Sequence, residues 1–146
     1  MFKHILLATD GSAASEHAAA MAVELARVHG ARLTTLHVAD PYPYLGVGEA
    51  SAASVQYHIA AAQAHAVEAH AKVEALCKTG GTPVELHKRM VEDMAPSSGI
   101  IQTAKDEGAD LIVLGSHGRT GIARLMIGSV AARVVAESPL PVLVAR

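Results

Sequence analysis

Gly115-Ser116-His117-Gly118 is followed, nine residues later, by Gly128-Ser129. This spacing suits the binding of a phosphate, which needs several backbone N–H donors aimed at one point. Glycine serves such a loop in two ways: it reaches positive φ, and it has no Cβ to hold an anion away. Gly128-Ser129 opens a helical pattern, and the unpaired N–H groups and dipole of a helix start favour negative charge. The Ser129 hydroxyl adds a donor or caps that helix. A second set of turn residues, Thr9-Asp10-Gly11-Ser12, follows the first apolar run. Asp10 reads either as a carboxylate for a ribose or a hydrated Mg²⁺, or as a turn residue capping the next helix. His117 reads as a phosphate contact rather than a base. Arg119 and Arg124 either neutralise phosphate or stand solvated at the surface.

Two familiar phosphate loops are absent. No Gly-Lys pair occurs, so there is no Walker A loop, and the G-x-G-x-x-G dinucleotide fingerprint is missing as well. The nine histidines do not read as a metal site. His58, His65 and His70 share one helix, but spacings of seven and five lack the i, i+4 pair that zinc favours. They are expected to be exposed. Cys77, the single cysteine, reads as a small packing residue and can form no intramolecular disulfide.

The elements that must position these residues follow from the apolar pattern. Ile5-Leu6-Leu7-Ala8 is a continuous run, as in a strand buried on both faces. A helix follows, with Ala18, Met21, Ala22, Leu25 and Val28 on one stripe, Ser12 as its cap and Gly30 as its stop. Leu33-Thr34-Thr35-Leu36-His37-Val38 reads as a second strand. Residues 40–49, with two prolines and two glycines, form a loop. Residues 51–78 read as one long alanine-rich helix stopped by Gly80-Gly81. Residues 84–90 alternate apolar and polar, as in a strand near an edge. Pro96 starts a short helix that ends at Gly108. Leu111-Ile112-Val113-Leu114 is the most apolar strand, and a glycine-rich loop runs over 115–121. After a short stretch over 122–127, a helix runs from Gly128-Ser129 to about Glu137. Ser138-Pro139-Leu140-Pro141 then turns into a last strand, Val142-Leu143-Val144.

Strands separated by helices connect by right-handed crossovers, which predicts an α/β fold: one doubly wound parallel sheet of five strands with helices on both faces. Ligands of such sheets sit at the carboxyl ends of the strands where the winding reverses. If the first and fourth strands are neighbours, 9–12 and 115–121 face one crevice. Neither a linker nor a repeat divides the chain, so residues 1–146 are expected to form one domain.

Composition narrows the function classes. Of 146 residues, 51% are hydrophobic, 18% charged and 3% aromatic, with a formal net charge of −2, which excludes disorder. Twelve basic residues in no cluster, with few aromatics, do not make a nucleic-acid surface. No apolar run approaches the roughly 20 residues of a membrane span, and the start lacks a secretory core. A soluble, cytoplasmic protein is expected.

The pattern G-x2-G-x9-G-S, from Gly115 to Ser129, resembles the nucleotide-binding signature of the universal stress protein family. Residues 4–12 resemble that family's opening, residues 109–118 its fourth strand and loop, and residues 138–144 its closing turn and strand. The likeness covers the whole chain, and the second helix is its least typical part. The resemblance implies an adenine nucleotide alpha hydrolase-like sheet of order 3-2-1-4-5, with the first and fourth strands side by side. It implies ATP as the cofactor, with Mg²⁺. By position, Ala8, Thr9 and Asp10 would approach the nucleoside, and Val38 the adenine through its backbone. Leu114, Gly115, His117 and Gly118 would line ribose and phosphates, and Gly128, Ser129 and Val130 would hold the phosphates. It also implies a homodimer paired through Val142-Leu143-Val144.

Three functions stay open at this point. The first is an ATP-binding regulatory stress-response protein whose nucleotide occupancy controls conformation or the binding of a client protein. The second is a slow ATPase or phosphoryl-transfer enzyme at the same crevice, with His117, Arg119 and Asp10 as candidate groups. The third is a non-catalytic dimeric interaction module that binds AMP, another ligand or no nucleotide. Scarce aromatics weigh against a flavin.

Overall fold

The computed structural model describes residues 1–39, 52–118 and 126–146. The sequence readings for residues 40–49 and 119–125, Arg119 and Arg124 included, lie outside the described residues. The elements alternate as β1 (His4–Ala8), α1 (Ala13–His29), β2 (Arg32–Val38), α2 (Ala52–Lys78), β3 (Leu86–Val91), α3 (Pro96–Asp106), β4 (Leu111–Gly115), α4 (Ser129–Glu137) and β5 (Val142–Ala145). The strands form one parallel sheet in the order β3-β2-β1-β4-β5. The expected fold class and strand order are therefore found. Register brings Ala8 level with Leu36 on one side and Leu114 on the other, so the carboxyl ends of β1, β2 and β4 open together.

Period-two alternation along the buried strands feeds two cores. Ile5, Leu7, Leu33, Leu111 and Val113 meet α1 and the later part of α2, through Val73 and Cys77. Leu6, Leu36, Ile112 and Leu114 meet α3 and α4, through Ile100, Ile101, Ala104, Ala131 and Val134. Cys77 is a buried packing residue, as expected. The alternating strand β3 lies at one edge, with His87, Lys88 and Arg89 exposed.

Helix α1 corrects one expectation. Its buried face is Ser15, Ala18, Ala19, Ala22, Val23 and Ala26, while Val28 is 77% exposed. Met21 and Leu25 flank the core only partly buried. Small residues let the helix come close to the sheet, so size overrides the apolar stripe. Gly30 ends the helix in the left-handed region, with its N–H on the Arg27 carbonyl and the Ala31 N–H on the Ala26 carbonyl. Ser12 stands at the N-cap position, yet its side chain caps nothing. Its hydroxyl donates instead to Asp10 Oδ1 at 2.5 Å.

Candidate functional site

The crevice predicted between the first and fourth strands is a cleft of about 470 Å³ at the carboxyl ends of β1, β2 and β4. All eleven expected residues line it: Ala8, Thr9, Asp10, Val38, Leu114, Gly115, His117, Gly118, Gly128, Ser129 and Val130. The volume is within the usual range for small-molecule clefts.

On the β1 side the turn is rigid. The buried Thr9 donates its N–H to the Leu36 carbonyl at 2.9 Å, and its hydroxyl pairs with Ser15 Oγ at 3.0 Å. Asp10 Oδ1 accepts from both the N–H and the hydroxyl of Ser12, at 3.0 and 2.5 Å. The other carboxylate oxygen faces the β4 loop, since a Cβ placed on Gly118 would lie 3.2 Å from Asp10 Oδ2. One aspartate thus joins the two loops that the sequence singled out.

On the β4 side the sheet runs one residue further, with the Ser116 N–H on the Ala145 carbonyl at 2.7 Å. The Ser116 carbonyl accepts the Gly128 N–H, also at 2.7 Å. That bond pins the start of α4 beside the 115–118 turn. It also explains the glycines. None of Gly115, Gly118 and Gly128 adopts positive φ, contrary to one half of the sequence argument. What they provide is close approach. A Cβ on Gly128 would lie 3.0 Å from Ser116 O, and one on Gly115 would lie 3.1 Å from Ala14 O.

The donors follow from this geometry. The Gly128 N–H is taken by Ser116, and the first helical bond runs from the Ala132 N–H to the Gly128 carbonyl at 2.9 Å. The N–H groups of Ser129, Val130 and Ala131 therefore have no partner within the helix. All three residues line the cleft, where the helix dipole adds positive potential. Gly128 is the N-cap residue, so Ser129 is the first helical residue rather than the cap. The His117 ring bonds Ser116 Oγ through Nδ1 at 2.9 Å, while its Nε2 is buried without a partner. A buried polar atom without a partner in a cleft is a place for a ligand atom.

Several lining residues were missed by sequence reasoning. Ser116 and Ala131 sit inside stretches already singled out. His37 closes the end of β2, its Nδ1 donating to the Thr9 carbonyl at 3.1 Å. Pro96 and Ile100 of α3 add apolar wall. His58, Ala61, Ala62 and His65 of α2 cover the cleft from the other side. Their i, i+3, i+4, i+7 spacing is legible as a helix face, but nothing in the sequence says what that face meets. Of the three α2 histidines, only His65 is exposed as expected; His58 is half-buried and His70 is buried. His70 Nδ1 stands 3.4 Å from Thr35 Oγ1. Burial, and then the neighbouring His37, push its pKa below the ordinary imidazole value. Among the described residues no group of three His, Cys, Asp or Glu side chains could hold a metal ion. No helix among them is long and apolar enough to cross a membrane.

A doubly wound parallel sheet of order 3-2-1-4-5, with a cleft at its switch point where the β4 loop meets the start of α4, defines the class of fold. The particular family is shown by comparison: a profile described as the universal stress protein family matches residues 1–146, and the chain belongs to that family. A universal stress protein of Thermus aquaticus, encoded in the 3′ region of a QAH/OAS sulfhydrylase, is 40% identical over the full length of both chains. Among solved structures, universal stress protein UspA from Lactobacillus plantarum superposes with a TM-score of 0.80 at 29% identity, covering 99% of this chain and 97% of that one. A universal stress protein in complex with cAMP superposes with a TM-score of 0.70 at 26% identity, with the same coverage.

Proposed function

We propose that residues 1–146 form one ATP-binding domain, a cytoplasmic stress-response regulator whose nucleotide occupancy alters its conformation or its choice of client protein. The observation that carries this reading is that Ser129, Val130 and Ala131, whose amides have no partner within α4, line a cleft of nucleotide size together with the Asp10 turn. The related protein solved with cAMP supports an adenine nucleotide as the ligand class. In this reading Ser129, Val130 and Ala131 donate to the phosphates, with His117 Nε2 beside them. Gly115, Gly118 and Gly128 keep the floor free of side chains. Ala8, Thr9 and Leu114 border the ribose, and Val38 meets the adenine through its backbone. Asp10 borders the nucleoside, where it would orient the ribose or reach, through water, a Mg²⁺ accompanying the triphosphate. Two copies pair through β5.

Calorimetric titration with ATP–Mg²⁺ tests this directly. The expected result is saturable, one-to-one binding well below about 1 mM, a free energy steeper than roughly −4 kcal/mol. No heat of binding at millimolar nucleotide would overturn it.

A further inference from the structure

The inference concerns the covering helix and rests on the nucleotide reading above. Helix α2 has 27 residues, about 40 Å of length at 1.5 Å per residue. Strand β2 has 7, about 23 Å. The helix is therefore too long for the sheet it packs on. Its residues from Ala66 onward are anchored, with Ala66, Ala69, His70, Val73 and Cys77 buried. None of the described side chains of 52–65 is buried. This first half overhangs the carboxyl ends of the strands, and its inner stripe faces the cleft: His58, Ala61, Ala62, His65. The two alanines leave room. The two imidazoles stand at either end, about 10 Å apart along the axis, which suits two points on an extended ligand rather than one metal ion.

The charges around them make the pair consequential. Among the described residues lining the cleft, the ionisable side chains are Asp10 after β1, His37 at the end of β2, His117 after β4, and His58 and His65. No Lys or Arg is among them. On α2 the next cation is Lys72, committed to the Gly11 carbonyl at 2.9 Å, to Glu16 of α1 at 3.2 Å and to Glu68 at 3.8 Å. His70, one turn beyond His65, is buried against β2. With neutral imidazoles this lining carries one negative charge. With protonated ones it turns positive, and histidine is the side chain whose charge changes between about pH 5 and 8.

We propose that His58 and His65 form a proton-dependent cationic cover over the cleft, so that the site selects a polyanionic nucleotide and holds it more tightly as pH falls. The preference for triphosphate over monophosphate then grows with acidity. The helix half that carries the pair acts as the specificity element of the site.

The experiment is a calorimetric titration of the full chain with ATP and with AMP, in the same salt and Mg²⁺, at about pH 6 and pH 8. The wild type is expected to bind ATP about tenfold more tightly at the lower pH, with a smaller change for AMP. The double variant His58→Gln/His65→Gln should lose most of that ratio. Because His65 is exposed, His65→Gln alone leaves the fold intact and should remove part of the ratio. An ATP affinity in the wild type that is flat or falls toward pH 6 overturns the proposal and leaves the nucleotide reading standing. So does an unchanged ratio in both variants. Absence of ATP binding at both pH values overturns the nucleotide reading itself.

Discussion

At the scale of single residues, the site depends on what is missing from three α-carbons. Gly128 is the tightest case, since a methyl there meets the backbone oxygen of Ser116 at 3.0 Å rather than a movable side chain. Gly128→Ala should therefore push the α4 entry away from the 115–118 turn and lengthen the 2.7 Å Gly128–Ser116 bond. The expected outcome is an ATP affinity reduced by about tenfold in a calorimetric titration. The melting temperature should move by only a few degrees, because Ala131 and Val134 still pack in the core. A second residue carries stability rather than binding. Arg27 forks onto the carboxyl end of α2, with Nη2 on the Leu76 carbonyl at 2.6 Å and on that of Thr79, and Nε on that of Thr82 at 3.1 Å. Its side chain is 11% exposed. Arg27→Ala should cost about 2–3 kcal/mol in urea unfolding. Arg27→Lys should recover little of this, since an ammonium cannot reproduce the planar fork.

At the scale of elements, β3 and α2 are linked by charge. Glu74 accepts from Lys78 on its own helix at 2.7 Å and from Lys88 of β3 at 2.5 Å. Those bonds, Lys78 first, hold its carboxyl down to about 2 from the usual 4.5. A carboxyl depressed in the folded state adds stability above its unfolded pKa and loses it as pH falls through the folded one. Stability of the wild type should thus decline between about pH 4.5 and pH 2 in part through Glu74. In Glu74→Gln the urea midpoint should fall less steeply over that window. Most of the element order was legible in the sequence because the apolar runs, Gly30, Pro96 and Gly80-Gly81 mark it locally. The buried face of α1 was not, since contact with a sheet selects small residues and leaves Val28 in solvent. The Ser12 cap failed because its hydroxyl is turned to Asp10 and the Ser15 N–H it would accept bonds the Ser12 carbonyl instead. The glycine spacing found the cleft through local chemistry. The α2 cover stayed hidden because it depends on a helix outrunning its strand, which is a tertiary fact.

At the scale of the whole molecule, β5 is an open edge of the sheet. Its pairing with β4 uses the carbonyls of Pro141 and Ala145, so the parallel pattern turns the N–H and C=O groups of Val142 and Val144 away from β4. An apolar edge with outward donors is suited to pairing with a second copy. Val144→Pro removes one outward donor and leaves the β4 ladder its bonds. In sedimentation the wild type is expected as a dimer, and this variant as a monomer with unchanged far-ultraviolet dichroism. A wild-type monomer would remove the paired assembly and leave the cleft unaffected. The cleft itself is tested most directly by amide NMR during titration with ATP–Mg²⁺. The account predicts that the largest shifts fall on the N–H groups of Ser129, Val130 and Ala131, together with Gly118 across the cleft. Shifts confined to other parts of the sheet, or none at saturating nucleotide, would contradict it.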